Sequence, residues 1–233
     1  MPTLLDRFMS TRFVSTALGA LTGIAIASPF LTTSPAAAQL LAQKSNCNDA
    51  QTQAEMNQAE MNFCAGLGYE KADRALNRAY QALVPKLSAT RRQKLTDAQL
   101  RWITFRDTEC DFYGSEAEGG SMQPMLIGGC KDQVTQQRTA DLNAYLAGRS
   151  PASVGGYQSA DRRLNQLYQQ LRQNLETNRK RKLETAEFAW IAFRDSACGF
   201  EASGGSNAAR NQCLTRLTVK RNQQLQGYLA IDL

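Results

Sequence analysis

The sequence predicts an all-α protein built from two tandem, disulfide-stapled three-helix units that follow a cleaved signal peptide. Three observations predict it: an internal repeat, apolar residues at helical spacing, and six cysteines. Residues 73–110 align without a gap onto residues 161–198 at a constant offset of 88, and 18 of the 38 paired positions are identical. A self-match of this density indicates two copies of one structural unit.

The first 38 residues have the order of a secretory signal peptide. Arg7 and Arg12 precede a mostly apolar stretch, residues 13–27, and the small residues 36–38 come just before Gln39. We expect cleavage after Ala38. The alternative is an uncleaved N-terminal anchor, but the apolar stretch is short and interrupted by Ser and Thr. The sequence therefore predicts an exported protein, periplasmic or secreted, with no stable membrane insertion after cleavage.

The repeat divides the remaining chain. We expect a first helical domain at 39–149, a linker at 150–156 and a second helical domain at 157–233. Length agrees with this division, because the chain beyond the signal peptide has room for two domains of roughly 100 residues. Regular alternation of β-branched residues is absent, so strands have no support.

Each copy predicts three helices. In the first helix, apolar residues recur at i, i+4, i+7, i+8 and i+11, which is one face of a helix. The second helix repeats this in both copies around a Trp and a Phe, and a third helix follows a Gly-rich loop. The first-helix stripes are Ala72, Leu76, Ala79, Tyr80, Leu83 and Ala160, Leu164, Leu167, Tyr168, Leu171.

The six cysteines predict three disulfides. All lie beyond the signal peptide, and exported proteins meet an oxidising compartment, so disulfides are favoured over metal ligands. Six cysteines allow 15 pairings. Repeat logic favours one bond across the Gly-rich loop in each copy, with the third at the N-terminal extension. The expected pairs are Cys110–Cys130, Cys198–Cys213 and Cys47–Cys64.

Charge is shared unevenly between the copies. Residues 39–150 hold 13 basic and 13 acidic residues, whereas residues 151–233 hold 12 basic and 7 acidic, a net charge of +5. A basic cluster opens the second helix of the second copy, and it is either a solvated turn or a contact for an anionic glycan or lipid of the envelope. Nucleic acid is an improbable partner outside the cytoplasm. The cluster is Arg179, Lys180, Arg181 and Lys182.

Glu116 and Glu118 make the Gly-rich loop of the first copy acidic, and the second copy has no counterpart. A feature of one copy alone is not needed to hold the repeated unit together. These two glutamates are therefore candidates for partner binding, against the plainer interpretation of a solvent-facing loop.

The polar residues that recur in both copies have two interpretations. Arg106-Asp107 and Arg194-Asp195 could clamp a ligand, or could form ion pairs between helices, Arg106 with Asp73 or Asp107 with Arg138. Their recurrence favours a structural polar core. We assign to this core Asp73, Asn77, Arg106, Asp107, Arg138, Asp161, Asn165, Arg194, Asp195 and Arg221.

Enzymatic chemistry finds no support in the sequence. Histidine is absent, which removes the commonest general base and metal ligand. The carboxylates are scattered, and no metal-ligand cluster or phosphate-binding loop can be identified. We expect no catalytic residues, no metal and no cofactor.

The first copy resembles the LprI-like lysozyme inhibitor N-terminal domain family. The resemblance rests on cysteines, an Ala-Glu-Met-Asn segment and a Trp-x-x-Phe-Arg-Asp motif that occur in the family's order; here these are Cys47, 54–57, Cys64, Trp102, Phe105, Arg106, Asp107, Cys110, Gly119, Gly120, Ser121 and Cys130. Residues 157–229 are similar to a second, degenerate copy. The resemblance implies a bacterial, exported, helical and disulfide-linked protein. It also implies a protein partner, and inhibition of lysozyme is the activity for which the family is named. The alternatives are an envelope-binding module or a structural periplasmic domain.

Overall fold

The computed structural model describes residue 47 and residues 54–149, 155–204 and 207–231. Within these ranges the chain forms six α-helices and no strand, which confirms the all-α prediction with three helices in each copy. The predicted signal peptide and residues 150–154 of the predicted linker lie outside the described residues. The helices are α1 Gln58–Leu83, α2 Ala89–Gly114, α3 Gln123–Leu146, α4 Tyr157–Asn174, α5 Thr177–Ala202 and α6 Asn207–Ile231.

Local sequence sets where the helices of the first copy begin. At α1, Asn57 Oδ1 accepts from the Glu60 backbone N–H at 3.1 Å, and Glu60 Oε2 accepts from the Asn57 N–H at 3.0 Å. This reciprocal capping box satisfies two backbone donors. Ser88 caps α2 by accepting from the Arg91 N–H at 3.4 Å. The first helix therefore begins at Gln58, well before Asp73, where the repeat starts.

The buried residues follow the predicted stripes. All five stripe residues of α1 are buried, and four of the five in α4 are. Tyr168 is the exception and is half-buried. Its counterpart Tyr80 shares a hydrogen bond with Thr96 at 3.0 Å, whereas the position equivalent to Thr96 in the second copy is Glu184.

The predicted disulfides are confirmed. Cys110 is bonded to Cys130, and Cys198 to Cys213, with Cα–Cα distances of 5.5 and 5.4 Å. Cys47 and Cys64 are disulfide-bonded as well. One detail differs from expectation: Cys130 lies two turns inside α3 instead of opening it. The bond therefore joins the last turn of α2 to the body of α3.

The two copies pack on each other through α2 and α5, and residues 62–233 form one compact unit. The start of each of these helices meets the end of the other. Arg91 lies over the ring of Phe200 at 5.0 Å, and the equivalent Arg179 lies over the ring of Phe112 at 5.5 Å. Equivalent residues thus exchange roles, which indicates an approximate twofold axis between the copies.

Candidate functional site

The repeated arginines of α2 and α5 are tied to their own copies. Arg106 Nη1 lies 3.8 Å from Asp73 on α1, and Arg106 Nη2 lies 2.9 Å from Asp107. The guanidinium also covers the buried ring of Trp102 at 5.2 Å. The second copy repeats this arrangement with Arg194, Asp161, Asp195 and Trp190. These contacts join the first two helices of each copy and leave no geometry for a ligand clamp.

The other proposed ion pair, between Asp107 and Arg138, does not form. Asp107 instead pairs with Lys131 at 3.2 Å, and Arg138 Nε donates to Gln99 Oε1 at 3.0 Å. The reason is that Arg138 faces the interface between the copies, whereas Asp107 is partly exposed. Asn77 Nδ2 donates to Asp73 at 2.9 Å, and its counterpart Asn165 donates to the Asp161 carbonyl at 3.1 Å.

The acidic loop of the first copy and the basic cluster of the second copy meet each other. Arg179 Nη2 lies 2.6 Å from Glu116, and Lys182 Nζ lies 3.3 Å from Glu118 and 3.0 Å from Asp111. The carboxylates remain about half exposed. Since Arg179 and Lys182 are already paired with carboxylates of the first copy, this surface gives no support to an anionic envelope component as partner.

The other two members of the basic cluster do not form ion pairs with this loop. Arg181 is exposed and donates to Asn178 Oδ1 at 3.1 Å, and Lys180 is half-buried. Asn178 in turn donates to Glu118 at 2.7 Å. Arg179 and Lys182 of the cluster therefore take part in the junction between the copies, whereas Arg181 is exposed.

Arg221 is the centre of a buried charge network, of which the sequence analysis identified no other member. This arginine is almost fully buried and contacts two carboxylates, Glu109 at 2.7 Å and Glu187 at 2.9 Å. The Tyr228 hydroxyl donates to Glu109 at 2.5 Å. Burial disfavours the charge on Arg221, yet the two carboxylates outweigh it and raise its pKa above normal. Glu109 belongs to the first copy, so the network crosses the interface.

A second network crosses in the opposite direction. Tyr145 of α3 donates to Glu201 of α5 at 2.5 Å, and Arg216 of α6 pairs with the same carboxylate. Sequence comparison missed Glu109 and Glu201 because neither recurs, since Ala197 and Tyr113 occupy the equivalent positions. A signal was present nonetheless: Glu109 follows Trp102 and Phe105 at helical spacing, inside the apolar stripe.

A cavity of about 650 Å³ separates α3 from α6. Its floor comes from the aromatic residues of α2 and α5, and its two walls come from the third helices of the copies. Two buried arginines, Arg138 and Arg221, line it. Its lining includes Trp102, Phe105, Trp190, Phe193, Leu126, Gly129, Val134, Leu217, Lys220, Gly227 and Tyr228.

Four large apolar side chains are exposed in the described part of the chain, and Phe188 is the most exposed of them. Phe188 on α5 is 72% exposed, and Leu100, at the equivalent position of α2, is 40% exposed. Thr185, one turn before Phe188, lines a shallow surface cleft of about 400 Å³ together with Asp111 and Lys182. Aromatic side chains are enriched among the residues that dominate protein–protein binding, so Phe188 is a candidate contact residue.

In the part of the chain that the structure describes, no group of three or more acidic or cysteine side chains is arranged to hold a metal ion. None of the described helices has both the length and the apolar character needed to span a bilayer.

Two known proteins are similar to this chain. An "Uncharacterized protein R02472" of Rhizobium meliloti (strain 1021) is 36% identical over 104 residues, covering 39% of this chain and 75% of the relative. A crystal structure of an uncharacterized protein from Burkholderia thailandensis superposes with a TM-score of 0.56 at 18% identity. It covers 88% of this chain and 97% of its own, and at this identity the similarity concerns the fold alone.

The family model described as "Lysozyme inhibitor LprI" matches two segments, residues 47–142 and 153–225. The segments correspond to the two copies, and each pair of stapling cysteines lies inside its own segment. With both copies matched and together covering most of the chain, this protein belongs to the LprI lysozyme inhibitor family.

Proposed function

We propose that this protein is an exported, non-catalytic binding protein that inhibits lysozyme by direct protein–protein contact. The observation that carries the proposal is the family match over both copies, since the family is described by that activity. Export is supported by the disulfides, because such bonds persist in oxidising compartments and are rare in the cytosol.

The scaffold suits an inhibitor that acts without changing shape. Each copy is stapled between its second and third helices, and two buried contacts join the copies: the ion pair of Arg221 with Glu109 and the hydrogen bond from Tyr145 to Glu201. A surface held rigid before binding loses little conformational entropy on association, so more of its contact energy becomes affinity.

We place the contact on the outer face of α2 and α5, around Phe188. This side chain is 72% exposed on a rigid helix, beside the cleft that Thr185 and Asp111 line. Binding energy at interfaces concentrates in a few residues, and aromatic anchors are enriched among them. Asp111 and Glu118 are about half exposed on the same junction, but both pair with Lys182, so the proposed contact rests on the aromatic side chain and not on charge.

The test uses the full chain from Gln39 onward, because the copies share buried charge networks and a half alone would expose them. Lysis of a bacterial cell-wall suspension by lysozyme is followed by turbidity at increasing protein concentration. We expect saturable inhibition of lysis, which reaches a plateau at a finite protein concentration. Unchanged lysis at a large excess of the protein would contradict the inhibitor proposal.

The contact surface is tested separately with a matched pair of variants. Phe188→Ala should raise the inhibition constant by about tenfold or more, as expected when a central aromatic anchor is truncated. Leu100→Ala removes a less exposed apolar side chain at the equivalent position of the other copy and should change it little. Both side chains are exposed, so the melting temperature should stay within a few degrees of the parent. Equal inhibition by the two variants would move the contact elsewhere and leave the inhibitor proposal intact.

A further inference from the structure

Arg138 differs from the other charged residues that line the cavity between α3 and α6. Four charged residues line this cavity. Lys220 and Asp141 pair with each other at 3.2 Å, and Arg221 has carboxylate partners within 2.9 Å. Arg138 has no carboxylate within ion-pair distance in the described part of the chain. The cavity therefore contains a cation that the protein itself does not neutralise.

The surroundings of Arg138 make that charge costly. The residue is 2% exposed, its Nε donates to the neutral amide of Gln99, and its guanidinium lies over the ring of Phe193 at 5.2 Å. Its Nη2 is buried and has no hydrogen-bond partner among the described residues. A guanidinium removed from water without a counter-charge is destabilising, and a carboxylate bound to its free N–H groups offsets that cost.

In the second copy, the arginine equivalent to Arg138 is neutralised by a carboxylate of the protein itself. Arg221 is equivalent to Arg138, and Glu187 is equivalent to Gln99. In the second copy the carboxylate of Glu187 sits 2.9 Å from the arginine, whereas in the first copy an amide takes its place. The first copy thus has one negative charge fewer at an equivalent arginine, and the cavity lies beside it.

Two glycines line the cavity and leave space in it that a larger side chain would fill. Gly129 lies in the second turn of α3, and Gly227 lies in the last turns of α6. A Cβ at either position would meet no atom within 4 Å, so packing does not require glycine there. Glycine inside a helix costs about 1 kcal/mol relative to alanine. The other copy has Gln212 and Ala144 at these positions, so neither glycine belongs to the repeated scaffold.

The size and lining of the cavity define the class of ligand. A volume of about 650 Å³ falls within the usual range for small-molecule sites. Leu126, Val134 and Leu217 provide an apolar wall, and Gln133 and Gln137 add neutral polar groups. An apolar wall that ends at a buried guanidinium is complementary to a molecule with an apolar body and one anionic head group.

We propose that this cavity binds a small amphipathic carboxylate, with Arg138 as the anchor for its head group. The carboxylate accepts hydrogen bonds from the guanidinium, and the apolar body lies between α3 and α6. This site is distinct from the outer face that carries Phe188, and the proposal does not depend on lysozyme inhibition.

The test measures binding of octanoate to the full chain from Gln39 by isothermal titration calorimetry. 1-Octanol and acetate serve as comparison probes, because one lacks the charge and the other lacks the apolar body. We expect saturable binding of octanoate that is at least about tenfold tighter than that of either probe. In Arg138→Gln, octanoate should bind no better than 1-octanol. Octanoate binding that is absent, or equal to that of 1-octanol in the parent protein, would overturn the proposal.

A second variant keeps the proposal testable if Arg138→Gln fails to fold. Gly129→Leu places a side chain in the open space of the cavity and should abolish octanoate binding with the melting temperature preserved. Gly199→Leu is the matched control, because Gly199 also lies inside a helix with no atom within 4 Å of a Cβ but does not line the cavity. Unchanged octanoate affinity in folded Gly129→Leu would place any binding elsewhere and contradict the proposal.

Discussion

Phe105 and Phe193, the same position in the two copies, stack on each other with ring centroids 5.9 Å apart and planes 4° from parallel. Only a residue beside the twofold axis can meet its own counterpart in this way. Arg221 covers the ring of Phe105 at 5.7 Å, and the equivalent Arg138 covers the ring of Phe193 at 5.2 Å. The aromatic pair is therefore the centre of the junction between the copies, with one arginine on each side.

Truncating this pair should destabilise the whole unit. Phe105→Ala and Phe193→Ala each remove a buried ring, so each should lower the free energy of unfolding by about 3–5 kcal/mol. The double variant should lose less than the sum, because the coupling of stacked aromatic rings is worth about 0.5–1.5 kcal/mol. Urea denaturation followed by circular dichroism measures all three values. Strict additivity would show that the two rings do not support each other.

The two equivalent arginines should differ in what their removal costs. Arg221→Met leaves Glu109 and Glu187 buried without a counter-charge, and should cost about 3–5 kcal/mol of unfolding free energy. Arg138→Met leaves only the amide of Gln99 without a donor and also removes a buried charge that no carboxylate neutralises, so the net loss should stay below about 1–3 kcal/mol. Urea denaturation of both variants compares them directly. Equal losses would mean that the carboxylates around Arg221 do not depend on it.

Alkaline pH should weaken the fold through Tyr145 and Tyr228. Burial raises the pKa of each hydroxyl well above its ordinary value of about 10, and a neighbouring carboxylate, Glu201 or Glu109, raises it further. The folded state holds both protons while the unfolded chain releases them. The stabilisation is thus complete below about pH 10 and is lost as pH rises above the unfolded pKa.

The measurement is the free energy of unfolding across about pH 9 to 12, compared between the parent and the double variant Tyr145→Phe/Tyr228→Phe. In the parent, each tyrosine should contribute a fall approaching about 1.4 kcal/mol per pH unit above pH 10. The double variant should show a shallower fall. The described cysteines are all disulfide-bonded, so thiol titration does not add to the slope. Parallel curves for the two proteins would assign the alkaline loss to other groups.

The half-exposed charge pairs between the copies should matter less than the buried ones. A double-mutant cycle on Arg179 and Glu116 should give a coupling below about 1 kcal/mol that shrinks further in high salt, because water and ions screen exposed charges. The exposed pair Arg74–Glu70 within α1 is a comparison that does not cross the junction. A coupling of several kcal/mol would show that the acidic loop locks the copies together.

Helix content and disulfide pairing were predictable from the sequence because both are local properties of a single copy. Leu76 and Leu164 recur at helical spacing, and the cysteines at 110 and 130 flank a loop that a hairpin must contain. A repeat at constant offset assigns equivalent residues to equivalent places. Neither inference requires knowledge of what lies against the copy.

The packing of one copy on the other was not predictable in the same way. A stripe of apolar residues shows that a face is buried without showing what covers it, so the place of Phe105 in the stripe does not reveal that Phe193 lies against it. The partner of Arg138 was sought within its own copy, although the residue faces the junction. The acidic loop and the basic cluster are predicted as two separate sites, because the sequence shows only that each differs between the copies. The structure is needed to show that they contact each other.

The reciprocal contacts across the axis have the form of an isologous homodimer interface contained within one chain. In a symmetric dimer of identical subunits, any substitution at such an interface appears twice. Fusion of the copies removes that restriction, so each side of the junction can change alone. Two pairs of equivalent positions differ in this way: Gln99 corresponds to Glu187, and Glu109 corresponds to Ala197. Covalent duplication thus makes it possible for one half of a symmetric assembly to keep its internal counter-ion while the other half acquires a place for a ligand.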